Sequence, residues 1–333
     1  MSVTLGTLEE LPRDFQAEME KVRVSPLWPE LHNLLPRDEP QAITHTGYWS
    51  YEQIRPLLLR AGALTPVEKA ERRVLVLNGP GHGVGAMQVT SSIYIGLQLL
   101  LPGEHAPAHR HTASAARLVL EGEGACTIVG GERCPMHRGD LILTPGGYVH
   151  DHRHEGEGPV VWLDALDLPL LAYLEGSYSV EGELSQAGSG VGANDPRGHR
   201  AVHRYPWETM RGALMELGKK TGFAQASELE YRDMHTGKPC LSTLGFTAML
   251  LPPGVSSQPP RRSVSAVFHV VEGQGRSVSN DTTTHWRAGD TFSAPPFAQM
   301  DHVATGSEPA FMIRIDDAPL RSTLGIYEER PRR

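Results

Sequence analysis

The sequence predicts an all-β protein built from two copies of one β unit. Of its 333 residues, 35 are glycine and 26 are proline, which is high for a helical protein. Short runs of Val, Leu and Ile stand between them, a pattern typical of many short strands joined by turns. One segment in the second half of the chain also aligns with a segment in the first half, which indicates a duplicated unit.

Short helices are expected before the first of these units. Apolar residues recur at helical spacing within residues 8–24 and predict an N-terminal helix there. They are Leu8, Leu11, Phe15 and Met19. Residues 51–77 then predict one or two further short helices, with Pro66 in a first helical turn, followed by a strand from Arg73 to Leu77.

A segment rich in glycine and serine separates the two halves of the chain. Residues 175–200 read EGSYSVEGELSQAGSGVGANDPRGHR, which is poor in apolar residues and typical of a linker or a long surface loop. We therefore predict a helical extension with the first strands at 1–90 and a β unit at 91–175. A linker at 176–200 and a second β unit at 201–333 complete the predicted organisation.

The internal repeat crosses that linker. The segment that begins LLLPGEHAPAHRH can be aligned with the segment that begins MLLPPGVSSQPPRR. The alignment matches Gly103 to Gly254, Glu121-Gly122 to Glu272-Gly273, and Gly139-Asp140 to Gly289-Asp290. A period of about 150 residues is too long for a solenoid, so a duplicated domain is the simpler explanation.

Composition excludes several classes of protein. A net charge of −8 with no basic run argues against nucleic-acid binding and against association with anionic membranes. The sequence contains no apolar run of membrane-spanning length, and its first residues lack a signal-peptide pattern, so a cytoplasmic location is expected. Cys126, Cys134 and Cys240 form no Cys-x-x-Cys pair, which argues against a disulfide framework and a thiolate zinc site.

Three histidines are the candidate metal ligands. His109 and His111 are one residue apart on a segment with strand character, so both side chains should leave the same face. His150 follows a second strand and a Pro-Gly-Gly turn, from where it could complete the site. Three neutral imidazoles suit Fe(II), Zn, Ni or Cu, and histidine alone does not choose among them. An isolated His-x-His pair more often binds nothing.

The spacing around these histidines resembles both motifs of the cupin superfamily. The first motif runs from Gly103 through the histidine pair to Gly122, and the second runs from Gly139 through Pro145-x-Gly147 to His150. The resemblance implies a bicupin, with two double-stranded β-helix (jelly-roll) barrels and a metal in the first. Many cupins add a glutamate ligand, but Ala115 and Ala116 stand at those positions. A site without a carboxylate ligand does not neutralise the metal ion. The full positive charge of the ion then remains available to a dianionic chelating substrate and to dioxygen.

The second copy lacks the three histidines. Pro260 and Arg262 align with His109 and His111, and Met300 aligns with His150. His269 and His302 remain in this half, where a structural role is the simpler interpretation. We expect no metal in the second barrel.

The first half of the chain closely resembles gentisate 1,2-dioxygenases and their salicylate and 1-hydroxy-2-naphthoate relatives. The resemblance covers most of residues 43–175 and includes YIGLQLLLPGEHAPAHRHTASAARLVLEGEGA and GDLILTPGGYVHDHRHEGEGPVVWLDALDLPL. It implies an enzyme of aromatic catabolism that uses Fe(II) and dioxygen to open the ring between the carboxyl-bearing and hydroxyl-bearing carbons. It also implies a homotetramer.

Strand parity and this resemblance together select the remaining site residues. Arg117 continues the face of the histidine pair, His152 follows His150, and Gln98 shares a face with Tyr94 and Gly96. The resemblance implies an iron triad, three catalytic residues and four residues that bind or orient the substrate. These are, respectively, His109, His111 and His150; His152, Arg117 and Gln98; and Arg73, Tyr94, Gly96 and Asp164.

The substrate and the class of function leave alternatives open. Gentisate is the first expectation, followed by salicylate, a 5-substituted salicylate or 1-hydroxy-2-naphthoate, because pocket shape decides among them. A cupin that binds a ligand without converting it, and a zinc-dependent cupin isomerase or hydrolase, are alternatives from other classes. A permissive dinucleotide fingerprint at Gly81-x-Gly83-x-x-Ala86 precedes a β-patterned segment and is interpreted as a loop.

Overall fold

The computed structural model describes residues 5–182 and 203–333 and divides into two units, residues 1–42 and 43–333. The first unit contains a 3-10 turn at Leu8–Glu10, helix α1 at Arg13–Lys21 and helix α2 at Leu31–Leu34. The predicted helix over residues 8–24 is therefore shorter than expected. Pro12 separates the turn from α1, because a proline disfavours helical backbone at the residue before it.

The second unit carries five further helices. They are α3 (Tyr51–Leu64), α4 (Val67–Ala70), α5 (Leu168–Tyr173), α6 (Trp207–Lys220) and α7 (Ala318–Thr323). Helices α3 and α4 account for the helical pattern predicted after residue 50, and Pro66 caps the start of α4. No helix among the described residues is both long enough and apolar enough to cross a membrane.

Strands make up most of the second unit, in agreement with the predicted fold class. The first half contains β1 (Tyr48–Trp49), β2 (Val74–Val76), β3 (Tyr94–Leu100), β4 (His105–His111), β5 (Ala115–Glu121), β6 (Ala125–Val129), β7 (Glu132–Pro135), β8 (Leu141–Thr144), β9 (His150–His154), β10 (Val160–Leu166) and β11 (Ser179–Glu181). The second half contains β12 (Arg204–Tyr205), β13 (Ser227–Glu230), β14 (Gly245–Leu251), β15 (Ser256–Ser257), β16 (Arg261–Arg262), β17 (Ala266–Glu272), β18 (Gln274–Ser279), β19 (Thr282–Arg287), β20 (Thr291–Ala294), β21 (Met300–Ala304), β22 (Ala310–Asp316) and β23 (Glu329–Arg330).

These strands form two barrels of two antiparallel sheets each. The first barrel consists of the sheets β12-β8-β5-β10-β3-β2 and β11-β4-β9-β6-β7. The second barrel consists of β1-β20-β17-β22-β14-β13 and β15-β21-β18-β19, and β16 pairs with β23. The same strand order recurs in both barrels, as expected for a duplicated unit.

The two barrels exchange their outermost strands. β1 precedes the first barrel in sequence but pairs with β20 of the second, and β12 follows the linker but pairs with β8 of the first. The predicted division at residues 90, 175 and 200 therefore does not coincide with the division of the sheets. Of the predicted linker at 176–200, residues 183–200 lie outside the described part of the chain.

The repeated Gly-Asp pairs stabilise this exchange. Asp290 Oδ1 accepts a hydrogen bond from the backbone N–H of Tyr51 at the start of α3, at 3.0 Å. Asp140 Oδ1 accepts the equivalent bond from Trp207 at the start of α6, at 2.9 Å. A carboxylate at a helix N-terminus satisfies a free N–H and complements the helix dipole. Asp290 of the second barrel thus caps α3, which follows the exchanged strand β1. Asp140 of the first barrel caps α6, which follows the exchanged strand β12.

The interior of the first barrel is divided into an apolar and a polar part. Leu100, Val119 and Val160 fill one part. One or two pleats further along the same strands, Gly96, Arg117 and Asp164 point into the barrel because alternate residues of a strand share a face. The second barrel is filled by an apolar cluster that includes Met249, Phe268, Met300 and Met312. The polar part of the first barrel is therefore the place for a site.

Candidate metal centre and substrate pocket

The three histidines converge from two neighbouring strands. His109 and His111 lie on β4, and the backbone of His109 pairs with that of His150 at the start of β9. The ring of His150 lies with its centroid 4.2 Å from that of His109 and 4.9 Å from that of His111. One nitrogen from each ring lies within 4.8 Å of the others. Among the described residues, these three histidines form the group that could hold a metal ion.

Backbone carbonyls orient each ring of this triad. The Nδ1 atoms of His109, His111 and His150 lie 3.3, 2.6 and 3.0 Å from the carbonyl oxygens of Pro107, Ala113 and Tyr148, respectively. A histidine that donates Nδ1–H to a carbonyl keeps its Nε2 lone pair for a metal. Each carbonyl belongs to a residue two positions away in the chain, so the backbone of the strand or of its flanking turn provides the orientation.

The donor set fits a divalent metal. His150 Nε2 is buried and has no hydrogen-bond partner among the described residues, a state that is costly for a polar atom unless a ligand binds it. Burial and the nearby Arg72 lower the pKa of His109 to about 3, and burial and Arg117 lower that of His111 to about 4. The imidazoles are therefore neutral at physiological pH, as metal ligands must be.

A buried ion pair lies beside the triad. Arg117 Nε lies 3.3 Å from Asp164 Oδ1, and both side chains are at least nine-tenths buried. Trp162 Nε1 donates to Asp164 Oδ2 at 3.0 Å, and Arg117 Nη1 donates to Thr144 Oγ1. Burial raises the pKa of Asp164 to about 6 although Arg117 opposes that shift. Asp164 thus fixes the position of the Arg117 guanidinium, and its predicted role toward the substrate stays a prediction.

His152 is buried in the barrel beside the triad. It is 1% exposed, its ring centroid lies 5.6 Å from that of His150, and it packs on Trp162 at 5.1 Å. Its Nδ1 lies 2.9 Å from Thr127 Oγ1. Burial and Arg117 lower the pKa of His152 well below its ordinary value, so the ring is neutral. A neutral imidazole here can accept or donate a hydrogen bond at Nε2.

The wall opposite His152 is formed by β3. Gln98 pairs through its backbone with Trp162, is 2% exposed, and its amide nitrogen has no partner among the described residues. A Cβ added at Gly96 would lie 2.4 Å from Val74 Cγ1 and 2.6 Å from Tyr94 Oη. Gly96 therefore leaves the space that the Tyr94 side chain occupies. The predicted residues of this strand all line the polar part of the barrel.

The structure places Arg73 away from the histidines, which differs from the prediction. Arg73 forms an ion pair with Glu104 and donates to the carbonyl oxygens of Gly62 and Thr65, both at 3.3 Å. Its neighbour Arg72 instead lies against the His109 ring and donates to the Pro107 carbonyl oxygen.

Strand register explains the difference. Val74 and Val76 pair with Gln98 and Gly96 across β2 and β3, so they share the inward face with them. Arg72 has the same parity as these residues and Arg73 has the opposite parity. The parity of β2 was the signal that could have identified Arg72 in the sequence. Trp162 could have been found in the same way, because it shares parity with Asp164.

A cavity of about 700 Å³ opens beside the triad. Its lining includes Arg72, His109, Arg153 and Glu181. Glu181 lies on β11, which pairs with β4 along the histidine pair. The cavity lining also includes the carboxylates of Glu71 and Asp151, and it touches the triad at His109 alone.

The second barrel presents different residues at the equivalent positions. Met300 packs in the apolar cluster of that barrel. Arg314 lies in its interior and is paired with Asp316 at 2.9 Å and with Glu228 at 3.0 Å. His302 is buried there, with Nδ1 2.7 Å from Ser277 Oγ. These side chains make a packed interior with an internal ion-pair network.

Comparisons with known proteins agree with this architecture. The family model "Cupin domain" matches residues 96–166 and 247–316, one match in each barrel. The chain is 45% identical to a gentisate 1,2-dioxygenase from Ralstonia sp, over 99% of this chain and 97% of that protein. It is 34% identical to a 5-aminosalicylate 1,2-dioxygenase from Comamonas sp, over 94% and 88% of the two chains.

A solved structure shares the fold over nearly the whole chain. It is the crystal structure of salicylate 1,2-dioxygenase from Pseudoaminobacter salicylatoxidans with gentisate, which superimposes with a TM-score of 0.88 and 29% identity. The alignment covers 99% of this chain and 97% of that chain. The predicted bicupin fold is confirmed. The chain belongs to the gentisate and salicylate 1,2-dioxygenase family and is a ring-cleaving dioxygenase of the cupin fold.

Proposed function

We propose that this enzyme uses Fe(II) and dioxygen to open the ring of gentisate between the carboxyl-bearing and the hydroxyl-bearing carbon. The observation that carries the proposal is a triad of neutral imidazoles that faces buried guanidinium groups inside one barrel. Such a site attracts a chelating anion, because neither the ligands nor the arginines neutralise the charge of a divalent ion.

His109, His111 and His150 would hold the iron. When bound, iron supplies adjacent positions where the carboxylate and ring hydroxyl of the substrate meet dioxygen, and it allows electron density to pass from the ring to oxygen. Three imidazoles also suit zinc, nickel and copper, so the assignment of iron is tested by metal content and by activity after metal exchange.

Side chains around the triad would orient the substrate. Arg72 and Arg117 offer guanidinium groups to its carboxylate, which forms stronger hydrogen bonds with charged donors than with neutral ones. The unpaired amide nitrogen of Gln98 offers a further donor. His152 would exchange a hydrogen bond with the ring hydroxyl, and Tyr94 would form a wall that limits substitution on the ring.

Gentisate is favoured as substrate over its analogues. The 45% identical relative is a gentisate 1,2-dioxygenase, and the superimposed salicylate enzyme was crystallised with gentisate. Gentisate also carries a second ring hydroxyl, which makes it easier to oxidise than salicylate. Salicylate, 5-substituted salicylates and 1-hydroxy-2-naphthoate are the alternative substrates.

An oxygen-electrode assay tests this proposal. Purified protein loaded anaerobically with Fe(II) is mixed with gentisate, salicylate, 5-aminosalicylate or 1-hydroxy-2-naphthoate. We expect one dioxygen consumed per gentisate and the highest kcat/KM for that acid. Binding of the acids without oxygen consumption would instead favour a non-catalytic cupin. Activity that persists without oxygen in zinc-loaded protein would favour an isomerase or hydrolase.

We also propose that the enzyme assembles as a homotetramer, as the family resemblance implies. The first unit supports this assembly, because no residue between 5 and 42 is buried although it exposes Phe15, Leu34 and Leu35. Exposed apolar side chains on short helices are typical of surfaces that another chain covers. Light scattering after size-exclusion chromatography should give four times the chain mass, and a monomer mass would exclude the proposal.

A further inference from the structure

A buried hydroxyl controls the environment of His152. Thr127 lies on β6 directly opposite His152 on β9 and is fully buried. Its Oγ1 lies 2.9 Å from His152 Nδ1 and 3.7 Å from Met136 Sδ, a thioether that can only accept. The hydroxyl therefore has two partners and a single hydrogen to share between them.

The direction of these two bonds determines the tautomer of His152. A thioether can only accept, so a Thr127 hydroxyl that donates to Met136 Sδ has its oxygen left to accept from His152 Nδ1–H. A neutral imidazole carries one proton, so Nε2 then bears a lone pair. Trp162 packs against the ring at 5.1 Å and limits its rotation. The lone pair of Nε2 is thus held in the polar part of the barrel.

We propose that Thr127 is a positioning residue that keeps His152 in the Nδ1–H tautomer, so that Nε2 accepts a hydrogen bond from the ring hydroxyl beside the substrate's carboxylate. This inference rests on the proposed substrate class. The enzyme would then recognise its substrate by the ring hydroxyl. An acid without that hydroxyl leaves Nε2 buried and unpaired, and sites built to hydrogen-bond a substrate group discriminate strongly against analogues that lack it.

The second barrel contains a similar pair. Ser277 Oγ lies 2.7 Å from His302 Nδ1 and also accepts a hydrogen bond from Trp286 Nε1 at 2.8 Å. The second partner of the Ser277 hydroxyl is thus a donor, whereas that of the Thr127 hydroxyl, Met136 Sδ, can only accept. Ser277 therefore provides a matched control: a buried hydroxyl on a histidine in the barrel without the triad.

Three variants test the proposal by substrate binding. Anaerobic affinities for salicylate and for benzoate, which lacks the ring hydroxyl, are measured with iron-loaded wild type, Thr127→Val, Thr127→Ser and Ser277→Ala. Loss of one neutral hydrogen bond is expected to weaken salicylate binding in Thr127→Val about fivefold to tenfold. Benzoate binding and iron content should stay unchanged. Thr127→Ser should retain the preference for salicylate, and Ser277→Ala should behave as wild type.

A double-mutant cycle separates positioning from packing. If Thr127 acts through His152, Thr127→Val should not weaken salicylate binding further in a His152→Ala background. A similar loss in both backgrounds would overturn the proposal, as would equal losses for salicylate and benzoate or no difference between the Val and Ser variants.

The tautomer itself can be observed without turnover. Zinc-loaded protein with carbon-13-labelled histidine should show His152 as the Nδ1–H tautomer, assigned by loss of its signal in His152→Ala. Thr127→Val should show a mixture of tautomers. An Nε2–H tautomer in wild type would overturn this proposal and leave the proposed function intact, whereas failure of the wild type to cleave any of the acids would overturn the proposed function.

Discussion

Arg72 and Arg73 are neighbours in sequence, and their replacement should have opposite consequences. Arg72 lies beside the triad and contacts the His109 ring, whereas Arg73 forms an ion pair with Glu104 on the other face of the strand. We expect Arg72→Met to reduce catalysis with little effect on stability. Arg73→Met should destabilise the protein, and the folded fraction should retain most of its activity. Methionine keeps the apolar stem of either side chain.

The expected magnitudes follow from burial. Arg72 is partly exposed, and loss of one hydrogen bond between a charged donor and the substrate's carboxylate costs about 2 kcal/mol, or about 30-fold in kcat/KM. The Arg73 and Glu104 side chains are 2% and 18% exposed. Removal of one partner from a buried ion pair typically costs about 3 kcal/mol because the other charge remains buried.

The assay combines kinetics, metal analysis and unfolding. Values of kcat/KM for gentisate are measured at equal iron content, since Arg72 also contacts His109 and its loss could release metal. Urea unfolding of the same preparations gives the change in stability. Full kcat/KM in Arg72→Met, together with a 30-fold loss and wild-type stability in Arg73→Met, would refute the parity argument and restore the original prediction for Arg73.

Two further predictions concern the triad. His150→Ala should reduce bound iron below one-tenth of the wild-type amount by elemental analysis. His302→Ala, which removes a buried histidine from the second barrel, should retain the wild-type amount. Equal iron content in the two variants would exclude the proposed triad. The metal-free protein should lose stability as the pH falls from about 6.5 to about 4, because burial lowers the pKa of His109 and His111 to about 3 and about 4. The unfolded chain, whose histidines titrate near pH 6.5, binds more protons in that window. Urea midpoints between pH 7 and pH 4 test this, and a His111→Phe variant should show a shallower dependence.

Local sequence patterns were sufficient for several parts of the site. The alternation of side chains along one strand places His109 with His111, and His150 with His152, whatever the rest of the fold does. Each pair lies on a single strand, so the sequence alone was enough to group its two members. Arg117 also lies in the polar part of the first barrel, but on β5 of the other sheet, where parity counted from β4 does not apply.

Residues at the margins of strands were harder to predict. Arg72 and Arg73 precede β2, where the phase of the alternation depends on the register with β3. A shift of one residue in that register exchanges the two faces of the strand. Arg73 was predicted from the family resemblance alone, and the register places Arg72 on the inward face instead. The separate expectation that Gln98, Tyr94 and Gly96 share a face needed only one strand and agrees with the structure.

The sequence by itself determined the all-β class, the duplication and the set of inward-facing histidines, because periodicity and motif spacing are local properties of the chain. Only the tertiary structure decided which arginine reaches the triad, that β1 and β12 cross to the opposite barrels, and that Thr127 meets His152. Those features depend on pairing between segments far apart in the chain, and the register of such pairing is set by the packing of the whole barrel.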